Sequence, residues 1–292
     1  MLKQLSHLFK TAILGCAVLV LCTACSFLPT LGVSPWEQVQ LPTDSTVLDL
    51  SFANPQHGWL VGTHAALLET EDGGKTWQPR ALELEEDVNY RFNSVSFKGE
   101  EGWISGEPGI LLHTTDGGKS WARVPLSAKL PGVPIKVAAV GANAVEMTTD
   151  VGAIYKTEDG GRHWNALVQE AFGVLRNINR SADGQYVAVS SRGSFYSIWS
   201  PGETSWDPHN RNSSRRIQSM GFDPSGHLWM LARGGQIQFS NDSNEWDEPL
   251  NPDRSVSVGL LDMAFRSPEE IWVTGGSGTL LCSLDGGKTW QK

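Results

Sequence analysis

The chain has 292 residues, 40% of them hydrophobic and 19% charged, with 31 glycines; that balance excludes a disordered, collagen-like or polytopic membrane protein. Acidic side chains outnumber basic ones by 32 to 23, and the net charge of −9 excludes nucleic acid as a partner for the surface as a whole.

Lys3 and Lys10 flank an apolar run from Thr11 to Cys22, which leads into Thr23-Ala24-Cys25. A positive flank, a short greasy stretch and small residues before a cleavage point make an export signal. The run falls short of the roughly 20 residues that a membrane-crossing helix needs, so residues 1–24 are expected to be removed as a lipoprotein-type signal peptide. Thr-Ala-Cys resembles a bacterial lipobox, with Cys22 where that motif usually has Leu. The expected mature chain begins at a lipidated Cys25, with a linker over 25–35; two or more acyl chains give stable anchoring, and ordinary cleavage to a soluble product is the alternative. Nothing later in the chain is suited to spanning a bilayer. Only Cys25 and Cys282 survive cleavage, so with one lipidated no disulfide is available and stability rests on packing. No Cys/His spacing suggests a metal site, and no phosphate loop, haem-attachment motif or dinucleotide fingerprint suggests a cofactor.

From residue 36 the chain repeats. Thr70-Glu71-Asp72-Gly73-Gly74-Lys75-Thr76-Trp77 recurs around Asp116, Asp159 and Asp285, and the weaker segments Ser200 to Trp206 and Ser240 to Trp246 hold the same phase. The series Trp36, Trp77, Trp121, Trp164, Trp206, Trp246 and Trp290 is spaced by 41, 44, 43, 42, 40 and 44 residues, a period that belongs to a repeat architecture. Each unit reads as strands: Val47 to Phe52, Gly58 to Gly62, Ala66 to Thr70, then the Asp box and an outer strand opening at its Trp. Four short strands per unit with Gly and Asn turns indicate a β-propeller blade over 36–292, and no long 3.6-residue period supports helices. A second ladder, Trp59, Trp103, Trp229 and Trp272, marks the second strand of four units and reads as packing between blades. In the box, the Asp accepts backbone N–H groups, the glycines allow positive φ and the Trp covers the hairpin. Asp72, Asp116, Asp159 and Asp285 are therefore expected to be structural.

Three-strand sets begin near residues 47, 90, 135, 172, 214 and 256, which makes six blade units. Trp36 to Leu41 looks like an orphan outer strand, yet Trp290 already claims that position in the sixth unit. The economical expectation is a seventh blade whose first three strands would follow Lys292; a six-blade ring closed by the Trp36 strand is the alternative.

Between Phe172 and Arg233 the charge reverses: seven Arg (Arg176, Arg180, Arg192, Arg211, Arg215, Arg216 and Arg233), no Lys and four acids give +3. Strand alternation puts the Asp boxes at one end of the propeller and the second-to-third turns and blade links at the other. Arg192 and Arg233 fall in such turns of adjacent blades, with Glu107 and Asp150 in the corresponding turns of the second and third, so this face is expected to be basic on one side and acidic on the other. Arg is favoured over Lys where carboxylates and aromatics are recognised, so a protein-docking patch is expected.

The lipobox, the DGGK[ST]W turns, Arg180-Ser181-Ala182-Asp183-Gly184 and His209-Asn210-Arg211-Asn212-Ser213-Ser214-Arg215-Arg216 together resemble the photosystem II stability/assembly factor family of cyanobacteria and plastids. The resemblance covers nearly the whole mature chain. It implies a seven-bladed Asp-box propeller, a thylakoid-lumen lipoprotein (with the periplasmic side of the plasma membrane as the alternative) and no catalysis. It further implies an Arg patch binding the precursor of the reaction-centre core subunit, D1, during early assembly and repair. The rivals are a sialidase-like glycoside hydrolase, which would need a Tyr/Glu nucleophile pair or two opposed carboxylates, and a general extracytoplasmic scaffold. Tyr90, Tyr155, Tyr186 and Tyr196 are the only tyrosines and none has an obvious Glu partner in the sequence.

Overall fold

The computed structural model describes residues 36–292 apart from 86, 212, 241–244 and 253–258. The expected signal peptide, Cys25 and the linker 25–35 lie outside the described residues.

The described chain forms six antiparallel sheets in sequence order, each an up-and-down meander. The first blade is β1 (Val47–Phe52), β2 (Gly58–Gly62), β3 (Leu67–Thr70) and β4 (Gln78–Pro79). The second is β5 (Arg91–Lys98), β6 (Glu101–Glu107), β7 (Ile110–Thr114) and β8 (Ala122–Arg123), and the third β9 (Pro134–Gly141), β10 (Ala144–Thr149), β11 (Ile154–Thr157) and β12 (Asn165–Ala166). The fourth is β13 (Leu175–Arg180), β14 (Tyr186–Ser190), β15 (Phe195–Trp199) and β16 (Asp207–Asn210). The fifth, β17 (Ile217–Phe222), β18 (Leu228–Ala232) and β19 (Gln236–Ser240), and the sixth, β20 (Leu260–Phe265), β21 (Ile271–Gly275) and β22 (Leu280–Ser283), hold their outer position through single bridges, Ile237 with Leu250 and Cys282 with Gln291. Where four full strands per unit are expected, these two blades close with a bridge.

Hydrogen bonds between turns fix the two ends of the propeller. Gly73 N donates to Gln56 O, Gly117 N to Glu100 O, Gly160 N to Asn143 O and Gly286 N to Glu269 O, so each Asp box lies beside the first-to-second turn of its own blade. At the other end Thr63 N donates to Thr46 O, Ser191 N to Val174 O and Arg233 N to Arg216 O. We call the Asp-box end the lower face and the opposite end the upper face.

Blades adhere through the predicted Trp ladders. Trp59 of β2 is 1% exposed and meets Trp121 of the second blade's box edge-on at 5.9 Å, while its Nε1 donates to Gly117 O at 3.0 Å. Trp103 shares a core cluster with Trp164 of the next blade, and Trp229 shares one with Trp290. Trp36 meets Trp272 of the sixth blade edge-on at 5.0 Å, the relation that Trp121 bears to Trp59. Residues 37–42 then run beside the first blade's box, Gly73–Trp77. Close approach makes the box glycines exacting: at Gly118, with φ +92°, an added Cβ would lie 2.4 Å from Trp59 Cζ2. Gly118→Ala is expected to cost about 1–3 kcal/mol through overpacking and a disfavoured φ; an unchanged thermal midpoint would contradict it.

One irregularity recurs in every inner strand and matters for the site. Leu48, Asn93, Ile135, Arg176, Gln218 and Leu261 are each an extra residue without a partner in the ladder to the second strand. A β-bulge re-aims the side chain it carries. These bulges sit at the upper ends of the inner strands, where Asn93 Nδ2 reaches Glu107 Oε1 at 3.0 Å and Arg176 Nη1 reaches Gln218 Oε1 of the next blade at 2.8 Å.

Candidate protein-docking site

The lower face carries the four Asp boxes as turn-forming units. Asp72 accepts Thr70 Oγ1 (2.8 Å), Thr76 N (2.9 Å) and Thr76 Oγ1 (2.6 Å), and Trp77 Nε1 donates to Gly74 O (3.0 Å). The arrangement recurs at Asp116 with Ser120, Asp159 with His163 and Asp285 with Thr289. Both oxygens of each carboxylate are thus engaged by the turn. The side-chain and backbone donors of Thr76 and Thr289 hold Asp72 and Asp285 down from 3.8 to about 2. Ser120, then Thr114, lowers Asp116 further, and His163 does the same for Asp159.

Because these folded-state values are depressed, the stabilisation is fully present above the ordinary carboxylate range and is lost as pH falls through the folded values. The thermal midpoint is expected to fall steeply from about pH 4 towards pH 2, and Asp116→Asn to flatten that slope while lowering the midpoint at neutral pH. An identical pH profile in the variant would refute the assignment.

The upper face gathers six of the seven predicted arginines. Arg176, at the bulge of β13, donates from Nε and Nη2 to Ser191 O (3.3 and 3.1 Å). Arg216 Nη1 donates to Arg192 O (3.1 Å) and Arg215 Nη1 to Arg233 O (3.2 Å). Arg211 bonds Arg215 O and Gln238 Oε1, both at 3.0 Å; burial pulls its pKa down, with Tyr196 opposing. Among the described residues none of the six is ion-paired with a carboxylate, and all but the half-buried Arg211 are exposed. The glycines of the two turns permit this closeness: a Cβ on Gly193 (φ +65°) would lie 2.2 Å from Ile217 O.

The structure does not bring Arg180 into this group. It ends β13 on the lower side, where Nε donates to Glu146 Oε2 at 2.7 Å across the seam between third and fourth blades. Burial pulls the Arg180 guanidinium down and Glu146 more than offsets it, leaving it above the ordinary value. Tyr186 Oη donates to the same oxygen at 3.0 Å; burial and then the Glu146 carboxylate push its pKa well up. Tyr186 therefore has a Glu partner, one that lies 40 residues away in the sequence. At 2% exposure it is sealed in the seam, out of reach of a glycoside.

Sequence reasoning missed a series of carboxylates bound by side chains of their own blades, Glu69 and Glu101 buried and Glu270 half-buried. Glu101 accepts Trp103 Nε1 (3.0 Å) and His113 Nε2 (2.6 Å), Glu69 pairs with His57 (2.7 Å) and Arg80, and Glu270 accepts Trp272 Nε1 (2.9 Å). The visible signal was Glu101-Gly102-Trp103 and Glu270-Ile271-Trp272, a carboxylate two residues before the ladder Trp.

Opposite the arginines, Glu107 is exposed and caps Asn93, and Asp150 Oδ1 accepts Val133 N (2.8 Å), pinning the link into β9. The upper face is thus basic over the fourth and fifth blades, while the second and third carry Asp150 and Glu107, the latter opposite the exposed Arg91 in the ladder. A concavity of 1240 Å³ lies on the flank between the first and second blades, lined by Pro79 to Glu85 and by none of the six arginines.

The family model described as photosynthesis system II assembly factor YCF48 matches residues 28–292. The chain is 58% identical, over its whole length and 83% of the relative, to photosystem II assembly protein Ycf48 of Thermosynechococcus vestitus (strain BP-1). It is 62% identical, over 94% of its length and 81% of the relative, to photosystem II assembly lipoprotein Ycf48 of Nostoc sp. (strain PCC 7120). Among solved structures, that of YCF48 bound to D1 peptide superposes with a TM-score of 0.88 at 58% identity, covering 91% of this chain and 86% of that one. YCF48 from Cyanidioschyzon merolae gives 0.82 at 43% identity, covering 88% of each. An ancestral GH74 enzyme, at 16% identity and a TM-score of 0.65 over 87% of this chain and 42% of that one, shares the fold alone.

Proposed function

This chain belongs to the photosynthesis system II assembly factor YCF48 family, and from that premise we propose that it is a non-catalytic assembly and stability factor for photosystem II. Its upper face docks the newly made D1 precursor in early assembly and repair. The observation that carries this reading is the cluster of six arginines on one face with no carboxylate partner among the described residues. Such a surface holds guanidinium forks ready for a partner's carboxylates and carbonyls. The D1 peptide bound by the YCF48 of the structural neighbour supports the same partner.

The mature chain is exported and held by acyl groups on Cys25 at the lumenal side of the thylakoid membrane, which agrees with the lipoprotein naming of relatives. Its boundaries are a signal peptide over 1–24, a linker over 25–35 and the propeller from 36 onward. No cofactor takes part, and the Asp boxes serve only as turns.

The test is affinity capture from detergent-solubilised thylakoids with the mature chain as bait. The parent is expected to retain D1-containing reaction-centre precursors, and a variant with Arg192, Arg215, Arg216 and Arg233 all changed to Ala is expected to retain none. Equal capture by both baits would overturn the assignment of the face. Absence of any photosystem II protein from both would overturn the function.

A further inference from the structure

Inner strands of neighbouring blades are joined by the residues that follow each bulge. The first residue after the bulge accepts a backbone N–H of the next blade: Asp49 Oδ2 takes Val95 N (3.0 Å), Ser94 Oγ takes Val137 N (3.4 Å) and Asn177 Oδ1 takes Met220 N (3.0 Å). The third residue repeats the contact, Ser51 Oγ with Phe97 N (2.9 Å) and Ser96 Oγ with Ala139 N (3.0 Å). In the first and sixth blades the corresponding amides, Leu50 N and Met263 N, are capped by Asp49 Oδ1 and Asp262 Oδ1 of their own strands, both at 3.0 Å. The amide two residues past the bulge thus has a side-chain acceptor in every blade but the fourth.

In the fourth blade that amide is Ile178 N, and the residue of β9 in the capping position is Lys136. An ammonium has three protons to donate and no lone pair to offer. Ala138 stands where β1 and β5 have Ser51 and Ser96, so Arg180 N loses its cap as well. Among the described residues neither N–H meets an acceptor across the seam, and Ile178 is only 5% exposed. Lys136 is half-buried and in no ion pair among the described residues. It gives one proton to Asn179 Oδ1 at 3.2 Å, the one hydrogen bond joining β9 to β13 among the described residues. Glu146 of the same seam does not neutralise it, being engaged by Arg180 and Tyr186. Asp49 and Asp262, at its place in the first and sixth blades, are occupied by amides and hydroxyls. The seam therefore gathers donors, withheld from water, with no acceptor for them, which is unfavourable unless an acceptor is brought in.

We propose that Lys136 and the Ile178 and Arg180 N–H groups form an anion-binding site on the inner side of the seam between third and fourth blades, and that its ligand is a tetrahedral oxyanion of the phosphate or sulfate class. Backbone N–H groups beside an ammonium make such a site. The two amides are roughly 6.6 Å apart, two strand steps of about 3.3 Å. A single-atom ion touches both only by lying in line between them, whereas an oxyanion presents a separate oxygen to each. A tetrahedral one has a third oxygen for Lys136, which a carboxylate lacks. The small Ala138 side chain leaves the space between the strands open to it. The bound anion supplies the acceptors that β9 does not, doing at this seam what Asp49 and Ser94 do at the first two. This site is independent of the docking face.

The test follows the amide proton and nitrogen shifts of Ile178 and Arg180 while the mature chain is titrated with inorganic phosphate, and separately with acetate and with chloride, at matched ionic strength. Phosphate is expected to move both amides to saturation and to slow their hydrogen exchange, with acetate and chloride about tenfold weaker or more. Lys136→Met is expected to weaken phosphate binding about tenfold. Lys136→Ser/Ala138→Ser, which rebuilds the arrangement of Ser94 and Ser96, is expected to protect both amides without phosphate and to abolish their response to it. No saturable movement in the parent, an equal response to acetate or chloride, or an undiminished response in Lys136→Met would overturn the proposal.

Discussion

Arg180→Ala should lower the unfolding free energy by about 3–5 kcal/mol, the range for removing one partner of a buried ion pair, while leaving capture of D1 unchanged. The guanidinium lies across the seam of the third and fourth blades, 2.7 Å from a Glu146 carboxylate that also accepts the Tyr186 hydroxyl. The side chains of Arg180 and Glu146 are only 22% and 10% exposed. Without Arg180 the carboxylate would stay buried beside a hydroxyl that cannot neutralise it, so the seam would open or the acid would take up a proton. Arg180→Met/Glu146→Gln, which removes both charges and keeps an acceptor for the Tyr186 hydroxyl, is expected to recover most of the loss, since it avoids desolvating either ion. Urea denaturation of the parent, the single and the double variant measures this directly. A single variant as stable as the parent, or one that is stable but no longer captures D1, would return Arg180 to the docking patch.

Trp103→Ala should cost a similar about 3–5 kcal/mol, the range for deleting a buried large aromatic. Trp103 is fully buried, stacks on His113 at 3.8 Å and donates to Glu101, so its loss leaves a cavity and takes one donor from a buried carboxylate. Trp36→Ala, by contrast, removes a ring that is 57% exposed and should cost less than half as much. Equal effects of the two would mean that burial at the seams does not set stability.

The propeller was legible because its two Trp ladders are tied to geometry: one rides on the box turn and the other on the second strand, and they meet across the seams of the first and second, second and third, and fifth and sixth blades. The observed first strands begin within four residues of the expected starts. Which side chains share a face was only partly legible. Arg176 and Arg180 look alike in sequence, yet a strand rises about 3.3 Å per residue, which separates them by most of the blade's height. The bulge at Arg176, which turns it towards Gln218, leaves no mark in the hydrophobic pattern. The Glu101 and Glu270 carboxylates were readable in principle, since each precedes a ladder Trp by two residues, but only once the indole N–H of that Trp was known to need an acceptor.

Docking through the upper face is tested most directly by site-specific photo-crosslinking in thylakoids, with the photoreactive side chain placed either at Ser214, exposed on the upper face beside Arg215, or at Thr115, exposed in the Asp box of the lower face. A D1 adduct is expected from position 214 and none from position 115. An adduct from position 115 alone, or from neither, would contradict docking through the upper face.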